Sequence, residues 1–324
     1  MCFEDVESRA EQSSKKDLMG GQVRPTGLII TSVRFDLIHC TSLSSTSPSG
    51  LLRLARYFTS YFNLKRSTTM AAYVQDVFML FGDSITQGGW EPGLDGFGQR
   101  LSHVYARKLD VLNRGYSGYN STWGLPVFEQ CIAKSGTAPN LRVLAIWFGA
   151  NDACILPSPQ HVPLPVFKST LKTMVSMVHS PASPRYSPNT RILLISPPPI
   201  NTIARAAALA ARVPPMKLDR EFEITRAYAN VVREVAQEEG VAFVDAWTAL
   251  WDAAGREEMG LERVMEDGLH LNAAGYAVMY DELMKTIARD YPDVHPNNLG
   301  PVFPPWAEID WSHPEKSLYV KKSN

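Results

Sequence analysis

The stretch DVFMLFGDSITQGG, residues 76–89, carries the first decision about the fold. Val77 to Phe81 are all apolar, and the run stops at Gly82 before a polar turn that opens with Asp83 and Ser84. A strand with one wet face alternates apolar and polar residues. A continuous apolar run bounded by glycine suits a strand covered on both faces, as in a parallel sheet between helices. Ser84 then has two readings: a turn residue that caps a helix, or a nucleophile held at the end of a buried strand. One serine does not decide between them, so its partners must.

Short apolar runs recur at VLNRG (111–115), LRVLAIWFG (141–149), RILLISPPP (191–199) and VAFVDAW (241–247), and four of the five are continuously apolar. Helix-compatible segments lie between them. GFGQRLSHVYARKL (96–109) separates the first two runs, and LPVFKSTLKTMVSMVHS (164–180) follows the third. Residues 216–239 place Ile224, Ala227, Tyr228, Val231 and Val235 at helical spacing, with Gly240 as a C-terminal stop. In LNAAGYAVMYDELMKTIARDY (271–291), Asn272 can cap and Tyr276, Tyr280, Leu283 and Ile287 form one stripe. This alternation predicts an α/β fold: a three-layer α/β/α sandwich on a five-stranded parallel sheet, flavodoxin-like, with right-handed crossovers. In such sheets ligands bind beyond the carboxyl ends of the strands. Ser84, the loop after Gly115 and Asn151 all follow strand ends.

Composition narrows the function. A formal net charge of −1 supplies no basic field for nucleic acid or anionic lipid. No apolar run approaches the ~20 residues that span a bilayer. Cys2, Cys40, Cys131 and Cys154 form no CxxC pair, and no HExxH or clustered His/Cys set points to a metal. Residues 1–73 differ from the rest in composition. They read as a disordered extension or as a start placed too early, since Met70 offers a natural one. The basic, amphipathic LLRLARYFTSYFNLKR (51–66) makes a mitochondrial presequence the competing reading. The expected organisation is one folded domain over 74–292 and a tail, 293–324, packed on it. A cytoplasmic location is expected, and oligomeric state, homo-oligomers included, stays open.

A serine nucleophile needs a base, usually histidine oriented by a carboxylate. Of seven histidines, only His270 lies between the fifth strand and the last helix, with Asp267 three residues before it in EDGLHLNAAGY. In a turn, that spacing lets the carboxylate accept from Nδ1–H and leaves Nε2 facing outward; DGLH can equally be a plain turn before a capped helix. In WFGANDA (147–153), Asn151 can aim an amide donor at the strand end while Asp152 braces the loop, or the pair can be a simple turn. In NRGYSGYNS (113–121), Gly118 can offer an N–H that no Cβ shields, or the loop can merely be flexible. GYSGY (115–119) is no GxSxG elbow, because Tyr119 replaces the last glycine.

Taken together and in this order, FGDSITQGG, NRGYSGYNS, GANDA and DGLHLN resemble the four blocks of the GDSL, or SGNH, hydrolase family. The resemblance covers about residues 75–292. RGYSGYNSTWGL and the tail DYPDVHPNNLGPVFPPW resemble the isoamyl acetate-hydrolysing esterase subgroup. Ile85 stands where the family's name-giving motif has leucine, a change between two apolar residues.

The resemblance implies a serine esterase with Ser84 as nucleophile, His270 as base and Asp267 as its orienting acid. It implies an oxyanion hole from the Ser84 and Gly118 N–H groups and the Asn151 amide. Asp83 and Asp152 are supporting residues, and no cofactor or metal is expected. Acyl transfer or thioester cleavage on the same site, and an idle binding module on this fold, remain alternatives. The expected substrate is a small ester with a short acyl chain. PPPINTIARAAALAARVPP (197–215), an Ala/Leu-rich stretch between two proline clusters, is expected to form a short helix beside the catalytic edge.

Overall fold

The computed structural model describes residues 75–318. The expected N-terminal extension and its presequence-like segment lie outside the described residues. Five strands form one sheet: β1 (Asp76–Gly82), β2 (Leu109–Gly115), β3 (Leu141–Trp147), β4 (Arg191–Ile195) and β5 (Ala242–Val244). Their order is β2-β1-β3-β4-β5, and every neighbouring pair is parallel. The continuous apolar runs are explained by two buried faces. Phe78 and Leu80 of β1, with Val143, Ala145 and Leu193, point into one core. Val77, Met79 and Phe81, with Leu144, Ile146, Ile192 and Leu194, point into the other.

Nine α-helices occur among the described residues: α1 (Ser84–Gln87), α2 (Phe97–Val104), α3 (Ser121–Cys131), α4 (Leu164–His179), α5 (Thr202–Ala210), α6 (Phe222–Glu239), α7 (Ala246–Ala253), α8 (Ala273–Asp290) and α9 (Pro314–Leu318). Helices α2, α7 and α8 cover the first face through Phe97, Leu101, Leu250, Met279 and Leu283. Helices α3, α4 and α6 cover the second through Phe128, Phe167, Met174, Tyr228 and Val232. The result is a three-layer α/β/α sandwich. No helix among the described residues is long and apolar enough to cross a membrane.

Local chemistry sets the element ends. Asn272 caps α8 by accepting from Gly275 N at 3.0 Å. Gly240 closes α6 at φ 64°, a left-handed conformation that glycine adopts without a Cβ clash.

Three details differ from the sequence reading. VAFVDAW yields a strand of only three residues, because Asp245 accepts from Thr248 N at 3.1 Å and starts α7. The buried face of α6 is Thr225, Tyr228, Ala229, Val232, Val235 and Ala236, rotated by about one residue from the expected stripe. Helix α3 is not apparent in the sequence, because Gly124 and Pro126 both disfavour helix interiors; Asn120 nevertheless caps it, accepting from Trp123 N at 2.9 Å.

Register aligns the strand ends. Gly82 pairs with Gly115 of β2 and with Trp147 of β3, so β1, β2 and β3 release their loops at one level of one edge. The backbone of α1 drops between these ends. A Cβ on Gly115 would lie 2.1 Å from Gln87 N, so only glycine permits that approach. After α8, Val294 is buried in the first core. Its carbonyl accepts from Tyr105 Oη at 2.9 Å, Pro296 O accepts from Lys108 Nζ at 2.6 Å, and Val302 N donates to Arg107 O at 2.8 Å.

Candidate active site

The capping role at the end of β1 belongs to Asp83, not to Ser84. Asp83 Oδ1 accepts from Ile85 N at 2.9 Å, and Ser84 is the first residue of the one-turn helix α1. The Ser84 hydroxyl is therefore free for another partner, and it lies 3.0 Å from His270 Nε2 across 186 residues of sequence. Ile85 is fully packed beneath it, and the Ile85 carbonyl accepts from Tyr276 Oη of α8 at 2.8 Å. The turn that carries Ser84 is thus pinned to the helix that follows His270.

His270 and Asp267 occupy one turn between the end of the sheet and α8. His270 Nδ1 lies 3.0 Å from Asp267 Oδ2, while Oδ1 accepts from the backbone N–H groups of Leu269 (3.1 Å) and His270 (2.8 Å). Burial alone raises the Asp267 pKa; the hydrogen bonds and charge of His270, with the Arg205 guanidinium, outweigh it and hold the carboxyl well below the usual carboxylate range. An ionised Asp267 accepts only, so the His270 nitrogen that faces it, Nδ1, is the one that carries a proton.

Gly118 and Asn151 lie on the loops that follow β2 and β3, the two strands that flank β1. Gly118 has φ 78°, and an added Cβ would find nothing nearer than Gln160 Nε2 at 3.7 Å; backbone conformation, not crowding, is what calls for glycine. Gln160 Nε2 donates to Gly118 O at 2.8 Å and holds this loop. Among the described residues, neither the Ser84 N–H nor the Gly118 N–H donates to a protein group. Asn151 is almost fully buried, and its Nδ2 donates to Tyr119 O at 2.8 Å.

Two further carboxyls lie beneath. Asp152 accepts from Gly149 N (3.1 Å), Ser121 N (2.9 Å) and Ser121 Oγ, tying the β3 turn to the start of α3. Burial pushes its pKa up to about 6 despite those bonds. Asp83 is pushed up to about 7, first by burial and then by the charge of Asp152. Neither touches the Ser84 hydroxyl; both brace loops.

Two arginines complete the surroundings, and neither is singled out by the sequence reading. Arg205 of α5 is 4% exposed and donates to Asp267 Oδ2 at 2.7 Å through Nη1. Arg220 is 1% exposed and donates to Ala150 O at 2.7 Å and Asn151 Oδ1 at 2.8 Å. A signal exists for the first: Arg205 shares a helix face with Leu209, which is fully buried, inside an otherwise Ala-rich stretch. Nothing local marks Arg220. Among the described residues, no group of three or more His, Cys, Asp or Glu side chains is placed to hold a metal ion.

The model of the GDSL-like lipase/acylhydrolase family matches residues 80–278. The isoamyl acetate-hydrolyzing esterase 1 homolog of Mus musculus is 32% identical over 256 residues, 78% of this chain and 96% of that protein. The isoamyl acetate-hydrolyzing esterase of Saccharomyces cerevisiae is 32% identical over 239 residues, covering 72% of this chain and 94% of its own. Among solved structures, a lipase/acylhydrolase from Enterococcus faecalis aligns with a TM-score of 0.47 at 23% identity, over 70% of this chain and 98% of that one.

Proposed function

The chain belongs to the GDSL-like lipase/acylhydrolase family and is a carboxylic ester hydrolase, and from that premise we propose that it cleaves short-chain, acetate-type esters through an acyl-enzyme on Ser84. The observation that carries the reading is the line Ser84 Oγ, His270 Nε2, His270 Nδ1, Asp267 Oδ2, with 3.0 Å at each hydrogen-bonding step.

Ser84 Oγ attacks the carbonyl carbon as its proton passes to His270 Nε2. Asp267 holds the Nδ1–H tautomer and stabilises the imidazolium. The Ser84 and Gly118 N–H groups and the second Nδ2 hydrogen of Asn151 receive the oxyanion. On collapse, the C–O bond to the alcohol breaks and Nε2 returns its proton to the leaving oxygen. Water then repeats the sequence on the ester of Ser84, releasing the acid and restoring the hydroxyl.

A fluorophosphonate probe tests the first step. Intact-mass analysis should show one phosphonyl adduct, mapped by peptide sequencing to Ser84 and absent from Ser84→Ala. An unlabelled folded enzyme, or an adduct on another serine, would reject this mechanism.

The acetate preference rests on the relatives called isoamyl acetate-hydrolyzing esterase and on α5. That helix packs against the His270 turn: a Cβ on Gly268 would lie 2.4 Å from Asn201 O and 2.6 Å from Arg205 N. Its buried side chains are Arg205 and Leu209, and the rest of its length is mostly alanine. An alanine wall this close covers a small acyl group but offers little surface to a long one. Each buried methylene is worth about 0.8 kcal/mol, roughly fourfold in kcat/KM, only where the pocket reaches it. We expect kcat/KM to fall along p-nitrophenyl acetate, butyrate, octanoate and palmitate. A maximum at octanoate or beyond would refute the short-chain assignment.

A further inference from the structure

We propose that two buried arginines, Arg205 and Arg220, joined by the partly buried Asp219, form a positioning bridge that sets the orientation of the Asn151 amide at one end and of the Asp267 carboxylate at the other; this rests on the roles given to those two residues above. The contacts run without a gap. Arg205 Nη1 donates to Asp267 Oδ2 (2.7 Å), and its Nη2 and Nε donate to Asp219 Oδ2 (3.3 Å) and Oδ1 (3.4 Å). Arg220 Nη1 donates to the same Asp219 Oδ2 (2.6 Å), and its Nη2 donates to Asn151 Oδ1 (2.8 Å). Two guanidinium cations thus alternate with two partly buried carboxylates. The arginines together hold the Asp219 pKa below its ordinary value despite its burial.

The consequence for Asn151 follows from donor inventory. A guanidinium donates and never accepts, so the amide atom facing Arg220 must be the oxygen. At its other end the amide faces Tyr119 O, an acceptor, so that atom must be nitrogen. A donor on one side and an acceptor on the other admit one orientation, in which Nδ2 serves the strand end. Without Arg220 the amide loses its oxygen-side restraint. A rotated amide would present an acceptor, and hence repulsion, to a developing oxyanion. Arg220 Nε meanwhile grips Ala150 O, the carbonyl just before Asn151. Asp219 O accepts from Ile155 N at 2.8 Å, which fastens the centre of the bridge to the same loop.

Buried ion pairs add little stability relative to well-packed apolar side chains. A purely structural bridge would therefore have no need to end on these two groups. Here one end meets the acid that steadies the base, and the other meets the donor that receives negative charge.

The test is a double-mutant cycle in kcat on p-nitrophenyl acetate, with Tm recorded for every variant. Asn151→Ala alone should lower kcat by about 10²–10³. Arg220→Met should lower kcat by about 10² with KM within about threefold. In the Asn151→Ala background it should cost less than about threefold more, because the donor it orients is already gone. Should Arg220→Met fail to fold, Arg220→Lys keeps the charge beside Asp219 but cannot reach Ala150 O and Asn151 Oδ1 together; the same pattern is expected with a loss of about tenfold. Equal losses in both backgrounds, or a lowered Tm with kcat unchanged, would overturn the bridge and leave the Ser84 mechanism standing. An unchanged kcat for Asn151→Ala would overturn both the bridge and the oxyanion assignment.

Discussion

Ser84→Ala and His270→Ala are each expected to lower kcat by about 10⁶, and the double variant should be no slower than either single one. The reason lies in the 3.0 Å contact between Ser84 Oγ and His270 Nε2. A serine hydroxyl is a weak nucleophile until its proton has a destination, and the imidazole has no proton to accept without the hydroxyl. Each residue is useless alone, so removing the second removes nothing more. KM should change little, because neither side chain supplies much ground-state binding area. Steady-state rates on p-nitrophenyl acetate, with Tm as the folding control, check this. Losses that multiply in the double variant would mean that the two residues act in separate steps.

Asp267→Asn should lower kcat by about 10⁴ while leaving the overall fold intact. Four donors surround this carboxylate: Leu269 N (3.1 Å) and His270 N (2.8 Å) on Oδ1, and His270 Nδ1 (3.0 Å) and Arg205 Nη1 (2.7 Å) on Oδ2. A carboxylate satisfies all four, whereas an amide has one oxygen. If the oxygen of the substituted amide serves the two backbone N–H groups, its NH₂ faces His270 and Arg205. His270 Nδ1 must then accept, its proton moves to Nε2, and the base can no longer take one from Ser84. If the amide turns the other way, the NH₂ meets two backbone donors and the turn carrying His270 is strained. Either way the base is lost or misplaced. A kcat within tenfold of the parent would show that Asp267 is not the orienting acid.

The layered α/β fold is legible in the sequence because a strand buried on both faces tolerates no polar residue along most of its length. Val77 to Phe81 serve both cores in alternation, so the run itself states the layering. Sequence and structure part where one side chain overrides a pattern. Asp245 ends β5 early by capping α7, and Pro126 and Gly124 hide α3 behind residues that usually break helices. The buried stripe of α6 lies one position from the expected one because that helix mixes small and polar residues, and only its neighbours decide which of them face inward.

By itself the sequence determined where the five strands and most of the helices fall along the chain and which glycines end them, and it marked the DGLH and GAND turns as candidates. All of these depend on residues within a few positions of one another. Tertiary structure decided the rest. It aligned Gly82 with Gly115 and Trp147, so that three loops meet at one edge. It brought Ser84 to His270 across 186 positions. It also joined Arg220 to Asn151 across 69 positions and Arg205 to Asp267 across 62. An arginine's partner leaves no local mark, because its long side chain can reach any acceptor that the packing brings near. Only the folded chain, in which a buried guanidinium must find acceptors, fixes which ones it meets.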